Sequence, residues 1–189
     1  IAFDKVLSKE RFLYHGVPTP RSQTLKLDGS ETLELALPLV VKPPCEGSSV
    51  GVHICHTEDD LAAALEDAKR FGPTTLVEQF ISGMELTVGI LGDQVLPVIR
   101  IMPVDGFYDI NNKYPWMTGS GKSDYECPAK LPEENGEITA AVQAAALAAF
   151  HSIGGRVYGR VDVLLREGDN KPFVLEVNTI PGMTPTSLL

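Results

Sequence analysis

An α+β fold arranged in two lobes is predicted by three features of the sequence. Its 189 residues, 43% hydrophobic and 22% charged, suffice for one sizeable core or for two small lobes sharing a cleft. Helical patterns mix with strand-type runs without the regular strand–helix–strand beat of a doubly wound sheet. The strand runs also come in neighbouring pairs joined by turn-forming residues, as antiparallel hairpins do.

The segment "DKVLSKERFLYHG" reads as a short helix with Asp4 in its first turn and Gly16 as its stop, and "VPTP" cannot continue it. A loop leads to the next strand. "LPLVVK" is a compact apolar run of strand type, and beyond "PPCEGSS" the run "VGVHIC" resumes the pattern, so the pair is a hairpin with an unusual loop. "TEDDLAAALEDAKRFG" is a helix capped by Thr57 and acidic in its first turn. It carries Leu61, Ala64, Leu65 and Ala68 on one face and ends at Gly72-Pro73. "TTLVEQFI" and "MELTVGIL" are strands broken at Ser82-Gly83, and "GDQ" turns the chain into "VLPVIRIM". From Pro103 to Pro128 neither period appears, so a long ordered loop is expected, of a length that is usually functional. "EENGEITAAVQAAALAAFHSIGG" is an Ala-rich helix closed by Gly154-Gly155.

The formal charge of −9 excludes a non-specific nucleic-acid or anionic-membrane binder, since both need a basic face. Any anionic ligand must be met locally. Cys45, Cys55 and Cys127 are odd in number, widely spaced and without a zinc pattern, which fits reduced thiols in a cytoplasmic protein. No apolar run approaches the roughly eighteen residues of a membrane span, and a soluble protein is expected. The chain opens on Ile and closes on "PTSLL" without a terminating turn, and so reads as a piece of a longer one.

The C-terminal part carries the chemistry. "RVYGRVDVLLREGDNKPFVLEVNTI" is two apolar runs around "EGDNK", a β-hairpin whose turn centres near Asp169. Pairing symmetric about that residue sets Asp162 against Glu176 and Arg160 against Asn178. The other face then carries Val161, Val163, Leu175 and Val177. Two carboxylates facing each other in a sheet destabilise it unless a cation sits between them. A hard divalent ion completed by phosphate and water suits Asp162, Glu176 and Asn178, with Arg160 turned toward a phosphate or oxyanion. The hairpin alone is equally compatible with an Arg–Asp–Glu ion-pair ladder on a wet sheet face.

In "VVKPPCEGSSVG", Lys42 ends a buried strand and precedes Gly47, Ser48, Ser49 and Gly51. Such a loop can fold over phosphates, although it is not the GxxxxGK[ST] pattern and is more often only a loop. "VEQFISGMEL" places Glu78 and Glu85 around a Gly turn, where a carboxylate can accept from a ribose or an amino group.

The order "DK", "VVKPPCEGSSVG", "VEQFISGMEL", "GFYDINNKY", "CPAKL", "GRVDVLL" and "LEVNTIPGMTPTSL" resembles the ATP-grasp portion of D-alanine:D-alanine ligases. The resemblance runs over essentially the whole chain, and its specificity lies in seven separated motifs in the family's order. It implies an ATP-grasp fold, with residues 1–80 as a small lobe bearing the Gly/Ser phosphate loop. Residues 81–189 would form a large lobe bearing a lid loop and the metal-binding hairpin. It further implies an ADP-forming ligase of peptidoglycan synthesis that joins two D-alanine molecules through an acyl phosphate. A homodimeric parent in the cytoplasm goes with that reading.

By the same resemblance, Lys5 and Lys42 hold the phosphates of ATP. Glu78, Gln79, Phe80 and Ile81 line adenine and Glu85 binds ribose. Asp162, Glu176 and Asn178 hold two Mg2+ ions, for which Mn2+ can substitute. Arg160 and the Gly182 N–H form the oxyanion site. Ser48 and Tyr114 tie the Gly/Ser loop to the long loop, closing the site against water. Lys113, Ser187 and Leu188 hold the second D-alanine, and Lys113-Tyr114 favours an amine acceptor over D-lactate. Two departures stand out: the interval "KYPWMTGSGKSDYECPA" is longer than in compact members, and the family's N-terminal domain is absent. The piece alone is therefore expected to bind ATP without ligating.

Overall fold

The computed structural model describes residues 1–103, 123–182 and 187–189. Helix α1 (Lys5–Tyr14) leads into β1 (Ser22–Lys26), β2 (Leu39–Lys42) and β3 (His53–Cys55). Helix α2 (Glu58–Ala68) ends in a short 3-10 turn, Lys69–Phe71, before β4 (Thr74–Gln79). There follow β5 (Gly83–Leu91), β6 (Gln94–Pro103), β7 (Ser123–Glu126), α3 (Glu137–Ser152), β8 (Tyr158–Arg166) and β9 (Pro172–Asn178). Strands form one sheet in the order β1-β4-β2-β3 and another in the order β7-β6-β5-β8-β9. Every pairing is antiparallel, as the hairpin-rich sequence predicts for an α+β fold. The break at Ser82-Gly83 is where the chain passes from the first sheet to the second.

Each sheet buries its own apolar face under a helix. Thr57 and Asp60 form a reciprocal capping box at the start of α2. The face expected from its spacing, Leu61, Ala64 and Ala68 with Leu65 beside them, packs on Leu25, Leu39, Val41 and Val77. Helix α3 turns Val142, Ala145, Ala146, Ala149 and Phe150 onto Leu86, Val88, Val161, Val163 and Val177. Its run of alanines lets the helix lie close to the sheet. Phe150 fills the room left by two glycines, for a Cβ on Gly155 or Gly159 would lie 2.4 or 2.8 Å from its ring.

Helix α1 is first in sequence, yet its Phe12, together with Val17, is buried in the second core. Arg11 Nε donates to the Ser152 carbonyl at 2.9 Å, and Thr19 Oγ1 donates to the Val174 carbonyl at 2.8 Å. Asp4 is the N-cap rather than a first-turn residue: its Oδ1 accepts from the backbone N–H of Val6 at 2.9 Å and Leu7 at 3.1 Å. Asp4→Ala should lower stability by about 1 kcal/mol in urea unfolding. An unchanged midpoint would mean that tertiary packing alone holds the start of α1.

Three further sequence expectations need correction. β1 is a strand that hydrophobic patterning does not announce, because only Leu25 of its five residues is buried. Ser123–Glu126, inside the stretch expected as loop, is strand β7 and pairs Arg100 with Glu126 and Ile101 with Tyr125. Lys113 and Tyr114 lie outside the described residues. The third correction concerns β8–β9. Arg160 pairs with Asn178 and Asp162 with Glu176, as the count from Asp169 predicts, but Val163 then pairs with Val174. Leu175 is the extra residue of a β-bulge. Val174 takes the buried place, and Leu175 lines a cleft instead of joining the core face.

Candidate functional site

A cleft opens between the two sheets. Val40 and Ile54 from the first sheet and Leu164 and Leu175 from the second supply apolar walls. Lys5, Lys42, Glu78, Glu85, Asp162 and Glu176 supply charge, and Gln79, Phe80 and Ile81 supply the strand segment that joins the sheets. Strand alternation explains the placement: Val161, Val163 and Leu165 are buried in the core while Asp162 and Leu164 reach the cleft. The bulge matters here, since it turns Leu175 and Glu176 toward the cleft together.

Glu78 and Lys42 of the first sheet meet Lys9 of α1, so that one carboxylate contacts two ammonium groups. Glu78, 2% exposed, has Lys42 Nζ at 2.5 Å from Oε2 and Lys9 Nζ at 2.8 Å from Oε1. The Lys9 contact is a close ion pair whose alignment is too poor to count as a full hydrogen bond to Oε1. Burial pushes the Glu78 carboxyl up, but Lys42 and Lys9 outweigh it and hold the group below the ordinary carboxylate value. Burial pulls Lys9 down to about 8 despite the opposing pull of Glu78. Lys9 also donates to the Pro20 carbonyl at 2.8 Å. Lys5 donates from Nζ to the Glu46 carbonyl at the mouth of the Gly/Ser loop. Burial lowers its ammonium as well, against the attraction of Glu176.

In the second sheet, the Arg160 guanidinium grips Asp162 through both oxygens, each bond 2.9 Å long. Thr87, fully buried and in register with Asp162, donates from Oγ1 to Asp162 Oδ1 at 2.7 Å. Asn178 Oδ1 accepts from the Ile180 N–H at 3.0 Å. Among the described residues no group of three His, Cys, Asp or Glu gathers as a metal cage. The donor set is two opposed carboxylates with an amide beside them. Hard oxygen donors in that small number suit a magnesium ion completed by phosphate and water, so the residues fit. A magnesium ion held here should bind about tenfold more weakly in Thr87→Val, because that change loosens Asp162. Calorimetry giving wild-type affinity would show that the Thr87 hydroxyl is not needed to hold the carboxylate.

The Gly/Ser loop has a left-handed backbone at Ser48, Ser49 and Gly51, with φ of 52°, 61° and 68°. Gly51 is required twice over, since a Cβ there would also lie 2.7 Å from both Phe71 and Pro43. Ser48 and Ser49 line the cleft. Phe80 stacks edge-on with His56, ring centroids 5.7 Å apart.

Of the residues singled out by sequence, Lys5, Lys42, Ser48, Glu78, Gln79, Phe80, Ile81, Glu85, Asp162 and Glu176 line one cleft. Arg160 and Asn178 stand beside it in the β8–β9 ladder. Gly182 is exposed, with open space where a Cβ would be. Ser187 and Leu188 are partly buried, and Leu189 Cα comes within 3.6 Å of the Cβ position of Gly89, which pairs with Arg160. Lys9 and Thr87 are additions of the structure. Lys9 lies one helical turn after Lys5 on the same face, a spacing that by itself marks only a solvated helix surface. Thr87 carries no comparable signal.

The family model for the D-ala D-ala ligase C-terminus matches residues 15–189. A D-alanine–D-alanine ligase of Syntrophotalea carbinolica is 45% identical over 190 residues, covering 100% of this chain and 59% of its own length. The crystal structure of D-alanine–D-alanine ligase from Bacillus anthracis superposes with a TM-score of 0.80 at 34% identity, covering 100% of this chain and 60% of that one. Its complex with ATP gives a TM-score of 0.79 at 32% identity, covering 100% of this chain and 58% of that one. The chain thus spans 59% of the length of that curated relative.

Proposed function

The chain belongs to the D-alanine–D-alanine ligase family, with an ATP-grasp fold, and from that premise we propose that it forms the nucleotide-binding part of an enzyme joining two D-alanine molecules. The observation that carries this reading is the cleft, where apolar walls for a flat base run into two lysines and two opposed carboxylates. The Bacillus anthracis relative was crystallised with ATP.

In this reading adenine lies between Val40 and Ile54 on one side and Leu164 and Leu175 on the other. Glu78 and the Gln79–Ile81 segment face its edge, and Glu85 takes the ribose. Lys5, Lys42 and the Gly/Ser loop with Ser48 meet the phosphates. Asp162, Glu176 and Asn178 would hold two magnesium ions, which when bound neutralise the phosphate oxygens as charge builds on them. Arg160 and the Gly182 N–H would stabilise the oxyanion, and Lys113, Tyr114, Ser187 and Leu188 would position and enclose the acceptor. The first D-alanine carboxylate attacks the γ-phosphate to give an acyl phosphate and ADP; the second amine then displaces phosphate.

The two sheets would act as the two lobes, divided near residue 80, with α1 anchored in the second core. No helix among the described residues is long and apolar enough to cross a membrane. We place the enzyme in the cytoplasm, as a homodimer whose amino-acid site is completed by the further length its relatives possess. Calorimetric titration with ATP in magnesium should give one saturable site that EDTA abolishes, and heats equal to dilution would refute it. With the remaining length supplied, D-alanine should stimulate phosphate release and yield the dipeptide; release without dipeptide would refute the ligation.

A further inference from the structure

Glu78 is served by two cations of unlike setting. Lys42 reaches it from the cleft, whose wall it forms. Lys9 reaches it from behind, 3% exposed, its ammonium also tied to the Pro20 carbonyl at 2.8 Å. The helix that carries Lys9 is fixed independently, by Phe12 in the second core. Lys9 is thus anchored twice and set back from the cleft, whereas Lys42 lines it.

We propose that Lys9 is a positioning residue, the standing counterion of Glu78 that releases Lys42 to a nucleotide phosphate. The inference rests on the nucleotide reading of the cleft. A buried carboxylate with a single cation binds it firmly, because withdrawal leaves an uncompensated charge in a dry site. If Lys42 were the sole partner, its ammonium would be held at Glu78. With Lys9 behind, Glu78 keeps a counterion at contact distance while Lys42 swings to the phosphates. One carboxylate between two ammonium groups also leaves this cluster, on the first-sheet side of the cleft, with one positive charge in excess, which favours a phosphate there.

The test is the ratio of ADP to adenosine affinity in magnesium, each read by competition against a fluorescent ADP analogue. Lys9→Met should lower that ratio roughly tenfold, because Lys42 is retained by Glu78 and the loss falls on phosphate contacts alone. Lys9→Arg should preserve it. In a Glu78→Gln background nothing holds Lys42, so adding Lys9→Met should leave the ratio within twofold. This pair carries the test even if Lys9→Met alone does not fold. A purely structural Lys9 would move both affinities together. An unchanged ratio in Lys9→Met, or a tenfold fall in the Glu78→Gln background, overturns the proposal while leaving the nucleotide site intact. No ADP binding by the unaltered chain overturns both.

Discussion

Glu176→Gln is expected to cut ATP affinity in magnesium by about two orders of magnitude, while Glu134→Gln, just before α3, leaves it unchanged. Glu176 and Asp162 face each other in the β8–β9 ladder, and Asp162 already shares its charge with Arg160 through two bonds of 2.9 Å. Glu176 is therefore the less neutralised carboxylate. Removing one charge from such a cation site costs on the order of 3 kcal/mol, or roughly a hundredfold in affinity. The effect should vanish when magnesium is left out, because the neutral amide relieves the repulsion that the cation otherwise offsets. Titrations of both variants with and without magnesium decide the matter. A loss of equal size in EDTA would mean that Glu176 acts on the nucleotide directly.

The pairing of polar residues across β8 and β9 was legible because two simple regularities meet in it. Alternation places residues 160 and 162 on one face, and the turn at "EGDNK" fixes the register, so Asp162–Glu176 and Arg160–Asn178 follow by counting. The slip after Asp162 was not legible, since "FVLEVN" offers an apolar residue to either face. Contacts with α3 and with the Pro18–Thr19 segment after α1, both distant in sequence, accompany the burial of Val174 rather than Leu175. β1 was hidden for the opposite reason: its one buried side chain cannot make a period. Lys9 reads as a solvated helix residue until the first sheet brings Glu78 to it, and Thr87 reads as an ordinary β-branched strand former until its hydroxyl meets Asp162. Both contacts join distant parts of the chain, and local patterns say little about such pairs.

Glu78→Gln should lower folding stability by roughly 3–5 kcal/mol near neutral pH, because it leaves two ammonium groups side by side without their shared carboxylate. The deficit should depend on pH in a way that packing damage would not. On the acid side, the folded carboxyl titrates below its ordinary 4.5, so the stability it adds is complete above that value. It is lost as pH falls through the folded value, where the unaltered chain comes to resemble the variant. On the alkaline side, Lys9 titrates at about 8 in the fold against 10.5 when unfolded, so its ionised form burdens the fold below pH 8. The burden lifts as pH rises between those values. In the variant the carboxylate that favoured ionised Lys9 is gone, so relief begins at lower pH. The stability difference should therefore be widest just above the carboxyl's range, at about pH 5, narrow as pH rises toward 8 because the variant's Lys9 loses its proton first, and narrow again in acid as Glu78 takes up its proton. Urea unfolding of both proteins at acid, neutral and alkaline pH measures it. A difference that stays flat across that range would locate the cost in packing, and the buried charge triad would lose its role in holding the first sheet together.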